Sequence, residues 1–226
     1  MPSLLFAQLR EGGINSPDHD NDRLRFGISV GVNRSHYNIV HSPKFIQFDS
    51  VNVIESINST GLNLAGLVNL RLSNHFDLRG YPLDLIFTEK AFQYTLKTPN
   101  LIQKEDTLTF KKVQGITLAF PVQLKFSSDR IQNFKVYLLA GGRFEYDLAA
   151  NAGKKNNDEA VVLKKLDYTL EAAIGFHFYF PVFVLTPELK INYGLKNVLD
   201  KSSPYKYTNT IDQINSRSIT FSLTVE

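Results

Sequence analysis

The chain has 226 residues, 43% of them hydrophobic and 21% charged: enough apolar side chains for one ordinary domain or one barrel, and too many for a disordered chain. Its formal charge of +3 comes without a Lys/Arg run, so nothing points to a nucleic-acid face, and the absence of cysteine excludes disulfides, thiolate metal sites and cysteine nucleophiles. Seventeen Phe and ten Tyr against no Trp and one Met favour strands over helices, and no window approaches the ~18 consecutive apolar residues of a membrane-spanning helix.

The first residues, MPSLLFA, form a short apolar run ending in Ala7 before Gln8, which reads as the remainder of a secretory signal cleaved after Ala7 (residues 1–7). Residues 8–23 read as a periplasmic linker. Within them DHDND, Asp18 to Asp22, places carboxylates at alternate positions as a calcium loop begins. The sixth loop position is Arg23 rather than Gly and the twelfth is Ser29 rather than Glu, so a solvated linker is expected.

From residue 24 the dominant period is two. Leu24, Phe26, Ile28, Val30 and Val32 share one face, with Arg25, Gly27, Ser29, Gly31 and Asn33 on the other. Leu62, Leu64, Val68, Leu70 and Leu72 oppose Asn63, Ala65, Asn69 and Arg71. In residues 76–96 the alternation breaks near Gly80-Tyr81-Pro82, as a bulge in one long strand would make it. Ile116 to Phe126 and Phe134 to Tyr146 continue the pattern, the latter with Arg143 and Glu145 on its polar side. Leu166 to Phe180 sets eight apolar positions against Asp167, Thr169, Glu171, Gly175 and His177. After Pro181-Val182 the parity flips, as a two-residue hairpin turn placing Phe180 opposite Phe183 requires. Glu188 then falls on the polar side, and the last run, Ile219 to Val225, reaches the C-terminus.

That makes eight strands. The connections at about 41–58, 97–110, 149–164 and 197–215 are long and polar, those at 73–75, 127–133 and 181–182 short, in strict alternation. An antiparallel up-and-down barrel then carries every long loop on one rim and every tight turn, with both termini, on the other. Most of the apolar faces hold five or more positions, matching a ~25 Å lipid band crossed obliquely. Tyr37, Tyr94, Tyr146, Tyr168, Phe180 and Phe183 sit near run ends, as interfacial aromatics do. The reading is an all-β, eight-stranded antiparallel up-and-down transmembrane β-barrel of the outer-membrane type over residues 24–226. Its lipid-facing sides are apolar, and its interior charge network is Arg25, Arg71, Arg143, Glu145, Glu171 and Glu188. Those charges are structural: no Ser has a His and an acid at an interpretable offset, so no catalytic, cofactor-binding or metal residues are expected. A soluble barrel with reversed faces is the competing reading.

Three stretches, YLLAGGRFEYDLA (residues 137–149), FHFYFPVFVLTPELKINYGLKNVL (176–199) and PLDLIFTEKAFQY (82–94), resemble the PorT family of the type IX secretion system. The likeness runs from about Leu24 to the C-terminus, and its most specific part is the Phe-Tyr-Phe-Pro hairpin followed by Thr-Pro-Glu-Leu-Lys and Tyr-Gly-Leu. It implies an integral outer-membrane protein needed to export cargo proteins to the cell surface, and often for gliding. It also implies no enzymatic activity, no cofactor, and as partners membrane lipid and other secretion components. Two features depart from the pattern: the incomplete signal, and a chain ending in Glu226 rather than the aromatic residue that often closes such barrels. A small barrel binding a partner or ligand through its long loops, unrelated to secretion, is the alternative, and an outer-membrane hydrolase a third.

Overall fold

A computed structural model describes residues 13–41, 51–96, 108–149, 164–199 and 211–226. After a 3-10 turn at His19–Asn21 come nine strands: β1 (Leu24–His41), β2 (Val51–Ile57), β3 (Ser59–Arg71), β4 (Phe76–Leu96), β5 (Leu108–Ser127), β6 (Phe134–Asp147), β7 (Leu166–Tyr179), β8 (Val184–Gly194) and β9 (Ile211–Val225). β2 and β3 both lie along β4, separated only by Asn58, and act as one wall strand. β1 pairs with β9, and β4 pairs with both β3 and β5, so the sheet closes into an eight-stranded antiparallel barrel. Over the closed part of the wall no edge of the ladder is left open, while β2, beyond it, pairs among the described residues only with β4.

The expected bulge lies between Gly80 and Asp84, where the β4–β5 register shifts. Pro82 and Leu83 both face outward there, so Tyr81 before them and Asp84 after them both point inward. Proline lacks the N–H that a ladder position uses, which suits it to this irregular site. The tight hairpin is also present: Phe180 N–H donates to the Phe183 carbonyl at 2.9 Å and the two rings stack at 4.9 Å.

Two of the expected connections are corrected. The stretch expected as loop 41–58 contains β2, and the connection expected over 197–215 has already become β9 at Ile211. At about 3.4 Å per residue β4 measures roughly 70 Å, about twice what an oblique crossing needs, so the β4–β5 hairpin rises well beyond the lipid band on the long-loop side. Tyr37 shares the inward side of β1, where it lines the interior instead of the outer rim. The side chain of Tyr94, the segment 1–7 and the middle of each long loop lie outside the described residues.

Which solvent each face meets follows from exposure. Phe26 and Ile28 are each 65% exposed, in a wall that continues through Val122, Leu138, Leu170, Ile191 and Phe221, while the alternate positions bury Arg, Lys, Asp and Glu. A soluble protein does the reverse; a continuous apolar exterior of this size needs lipid. Among the described residues no helix is long and apolar enough to cross a membrane, so the strands do the crossing.

Candidate functional site: the barrel interior and its two mouths

The centre of the interior is Arg79, on β4 and wholly buried. It donates to Glu188 on β8 at 2.7 Å and to Asn69 Oδ1 on β3 at 2.9 Å, and lies 3.6 Å from the Glu226 carboxylate. Tyr137 on β6 donates to the same Glu188 carboxylate at 2.5 Å, and Lys190 approaches its other oxygen at 3.5 Å. Three strands are thus tied through one carboxylate, and Arg79 adds a fourth through Asn69. Tyr137 fits because Gly175 faces it across the β6–β7 pairing. A Cβ on Gly175 would stand 2.2 Å from the Tyr137 ring, so glycine is required there for close approach, whatever its backbone angles.

Toward the tight-turn side, Asp77 is shared by Arg25 at 2.7 Å and Lys125 at 2.9 Å, and Lys125 lies 3.4 Å from His177, whose other ring nitrogen is 2.7 Å from Thr186 Oγ1. Toward the long-loop side, Arg143 pairs with Glu145 and, at 3.0 Å, with Glu171, which also accepts from Gln123 at 2.5 Å. Asn33 donates to Asn63 beside them. Each of these charges therefore has an opposite partner, the condition under which burial of charge is tolerable.

Of the residues anticipated from sequence, Arg143, Glu145 and Glu171 meet directly, and Arg25 and Glu188 join through Glu226 and Arg79. Arg71 does not join. It is the last residue of β3, and its guanidinium turns to Ser73, Asn74 and Asn21 at the exposed rim. Sequence reasoning missed Asp77, Arg79, Lys125, Tyr137 and Lys190. For Asp77 and Arg79 the signal was there, as they alternate with Phe76 and Leu78, but the bulge four residues on obscured the parity.

Above Arg143, at the long-loop mouth, a polar cavity of about 80 Å³ is lined by Asn33, Tyr37, Glu145, Lys165 and Asp167 among others. Among the described residues no cluster of His, Asp and Glu could hold a metal ion.

The tight-turn mouth is closed by residues expected as a solvated linker. Asn15 donates its side-chain amide to the Tyr179 carbonyl at 3.0 Å, and Arg130 bonds back to the Asn15 and Ser16 carbonyls. Asp20 accepts from Tyr179 at 2.7 Å, with Lys135 at 3.4 Å and Arg130 at 3.9 Å. Burial alone would raise the Asp20 carboxyl, but hydrogen bonds from His19 and Tyr179 and the charge of Lys135 outweigh it and hold it well below the usual carboxylate range. DHDND is a lid, and the carboxylate at its centre, Asp20, serves lysine and arginine.

A closed eight-stranded wall with an apolar exterior and a filled, charge-paired interior defines a transmembrane β-barrel of the outer-membrane type. Residues 6–200 match the family described as outer membrane protein beta-barrel domain, and the chain belongs to that family, which places it in the bacterial outer membrane. Among solved structures it is similar to Neisserial surface protein A (10% identity, TM-score 0.45, covering 90% of this chain and 99% of that one). It is also similar to the N-terminal β-barrel domain of Pseudomonas aeruginosa OprF (12%, 0.36, 87% and 96%). A third is Ail, the attachment invasion locus protein of Yersinia pestis (14%, 0.39, 88% and 96%). No curated protein sequence matches the chain.

Proposed function

We propose that the chain is a non-enzymatic outer-membrane barrel of the PorT type, required for type IX secretion, with its long loops outside the cell and both termini periplasmic. The observation that carries the non-conducting part of this reading is the packed interior. From Arg25 through Arg79 to Arg143, paired side chains fill the barrel, so cargo passes elsewhere and the protein acts through its surfaces. The hairpin of β4 and β5, standing clear of the lipid band, gives it such a surface on the long-loop side. The stretches around Tyr137, Phe176 and Pro82 supply the family resemblance. Deleting the gene tests the proposal: export of many cargo proteins stops while other outer-membrane barrels insert normally. Undiminished export overturns it.

The polar cavity at the long-loop mouth favours a second reading, a barrel that binds a small polar ligand there, independent of secretion. A strain carrying Glu145→Ala and Asp167→Ala separates the two, since the secretion role does not require the cavity.

A further inference from the structure

Three lateral rows of outward-facing side chains cross β7, β8, β9 and β1, fixed by the strand register. The first is Ile174, Leu189, Phe221 and Val32; the second Ala172, Ile191, Ile219 and Arg34; the third, nearest the long loops, Leu170, Tyr193, Arg217 and His36. Within two residues along β1 and β9 the wall changes from wholly apolar to basic. Arg217 stands directly opposite His36, with Arg34 on the diagonal, about 7–8 Å away by sheet geometry. Neither row contains a carboxylate, and among the described residues none of the three pairs with one. Arg217 lies over the Tyr193 ring, 4.9 Å from its centroid, and its buried Nε has no hydrogen-bond partner. Arg34, His36, Tyr193 and Arg217 border one groove with Ala172 and Ile219; Glu171 also lines it, its carboxylate held on the inner side by Arg143 and Gln123.

Basic groups crowded on an outward wall repel one another and are costly at the edge of hydrocarbon unless an anion joins them. The planar forks of two arginines suit phosphate oxygens, and the position directly above an apolar band is where headgroups lie. We propose that this patch binds the phosphorylated headgroup of a lipid in the leaflet on the long-loop side. Arg34 and Arg217 grip the phosphate, His36 donates a further hydrogen bond, Tyr193 holds Arg217 in place, and the acyl chains lie along the apolar side chains of the first two rows, where Ala172 leaves room beside Ile191. Free phosphate shares the headgroup chemistry but gains nothing from those rows.

The test uses the intact barrel in an uncharged detergent, titrated with phosphatidic acid, with phosphatidylcholine of the same chains and with inorganic phosphate, and read by native mass spectrometry. Phosphatidic acid binds at least about ten times more tightly than phosphatidylcholine, and Arg34→Gln with Arg217→Gln weakens it about thirty-fold, roughly five-fold for each arginine. The single Arg34→Gln variant shows the five-fold loss where the double variant folds poorly, and heat-modifiable migration in gels identifies folded protein. Equal binding of the two lipids, or undiminished binding by a folded Arg34→Gln barrel, overturns the proposal. So does displacement of phosphatidic acid by equimolar inorganic phosphate, which would assign the patch to a free anion.

Discussion

Replacing Glu188 with Leu removes the carboxylate on which Arg79, Tyr137 and Lys190 converge. At an effective dielectric constant of about 20 the attraction of Arg79 for Glu188 at 2.7 Å is about 6 kcal/mol. Not all of it is lost, because Glu226 at 3.6 Å takes up part of the freed charge. The Tyr137 hydroxyl loses its acceptor, and the buried Lys190 loses its partner. Net losses on breaking one side of a buried pair run to about 3–5 kcal/mol, the range expected here. The control is the next residue along β8: Leu189 faces lipid, so Leu189→Ile keeps the apolar area and changes stability by less than about 0.5 kcal/mol. Urea unfolding in lipid vesicles, followed by loss of heat-modifiable migration, reads both variants on one scale. Arg79→Met added to Glu188→Leu recovers part of the loss, because an apolar pair replaces an uncompensated charge. If Glu188→Leu unfolds no earlier than Leu189→Ile, the assignment of inner and outer faces on β8 is wrong.

Gly175→Ala destabilises the barrel by about 1–3 kcal/mol through collision with the rigid Tyr137 ring, whereas Gly142→Ala, with only the Thr169 carbonyl at 4.0 Å, leaves the urea midpoint in place. Asp20→Asn loosens the lid. Because the folded Asp20 carboxyl sits below its ordinary value near 4, its contribution is complete above about pH 4 and disappears as the pH falls further, so wild-type and variant melting temperatures converge in acid. With no native cysteine to confuse labelling, Asn156→Cys reacts with an impermeant maleimide on intact cells and Ser128→Cys does not; the opposite pattern inverts the proposed orientation.

The sequence disclosed the barrel because period two persists wherever a strand meets lipid on one side and a crowded polar interior on the other. It failed where that contrast fades. In β2, Val51, Val53, Ile54 and Ile57 do not alternate, and beyond the lipid band β1 carries polar residues on both faces, so their hydrogen-bonded pairing leaves no hydropathy trace. Arg71 has the right parity but stands at a strand end, where a long side chain reaches water more cheaply than the interior. The lid depends on contacts between residues more than a hundred positions apart, such as Asn15 with Asn133 and Asp20 with Tyr179, and no local pattern announces those.

The central claim is that apolar faces meet lipid while charged faces meet each other, and the absence of native Trp makes it directly measurable. Phe221→Trp puts an indole on the outer wall and Tyr137→Trp puts one in the interior; each is reconstituted in vesicles whose lipids carry bromine midway along their chains, which quenches only on contact. The account predicts strong quenching of Trp at 221 and little at 137. Little quenching at 221, or stronger quenching at 137, would contradict it.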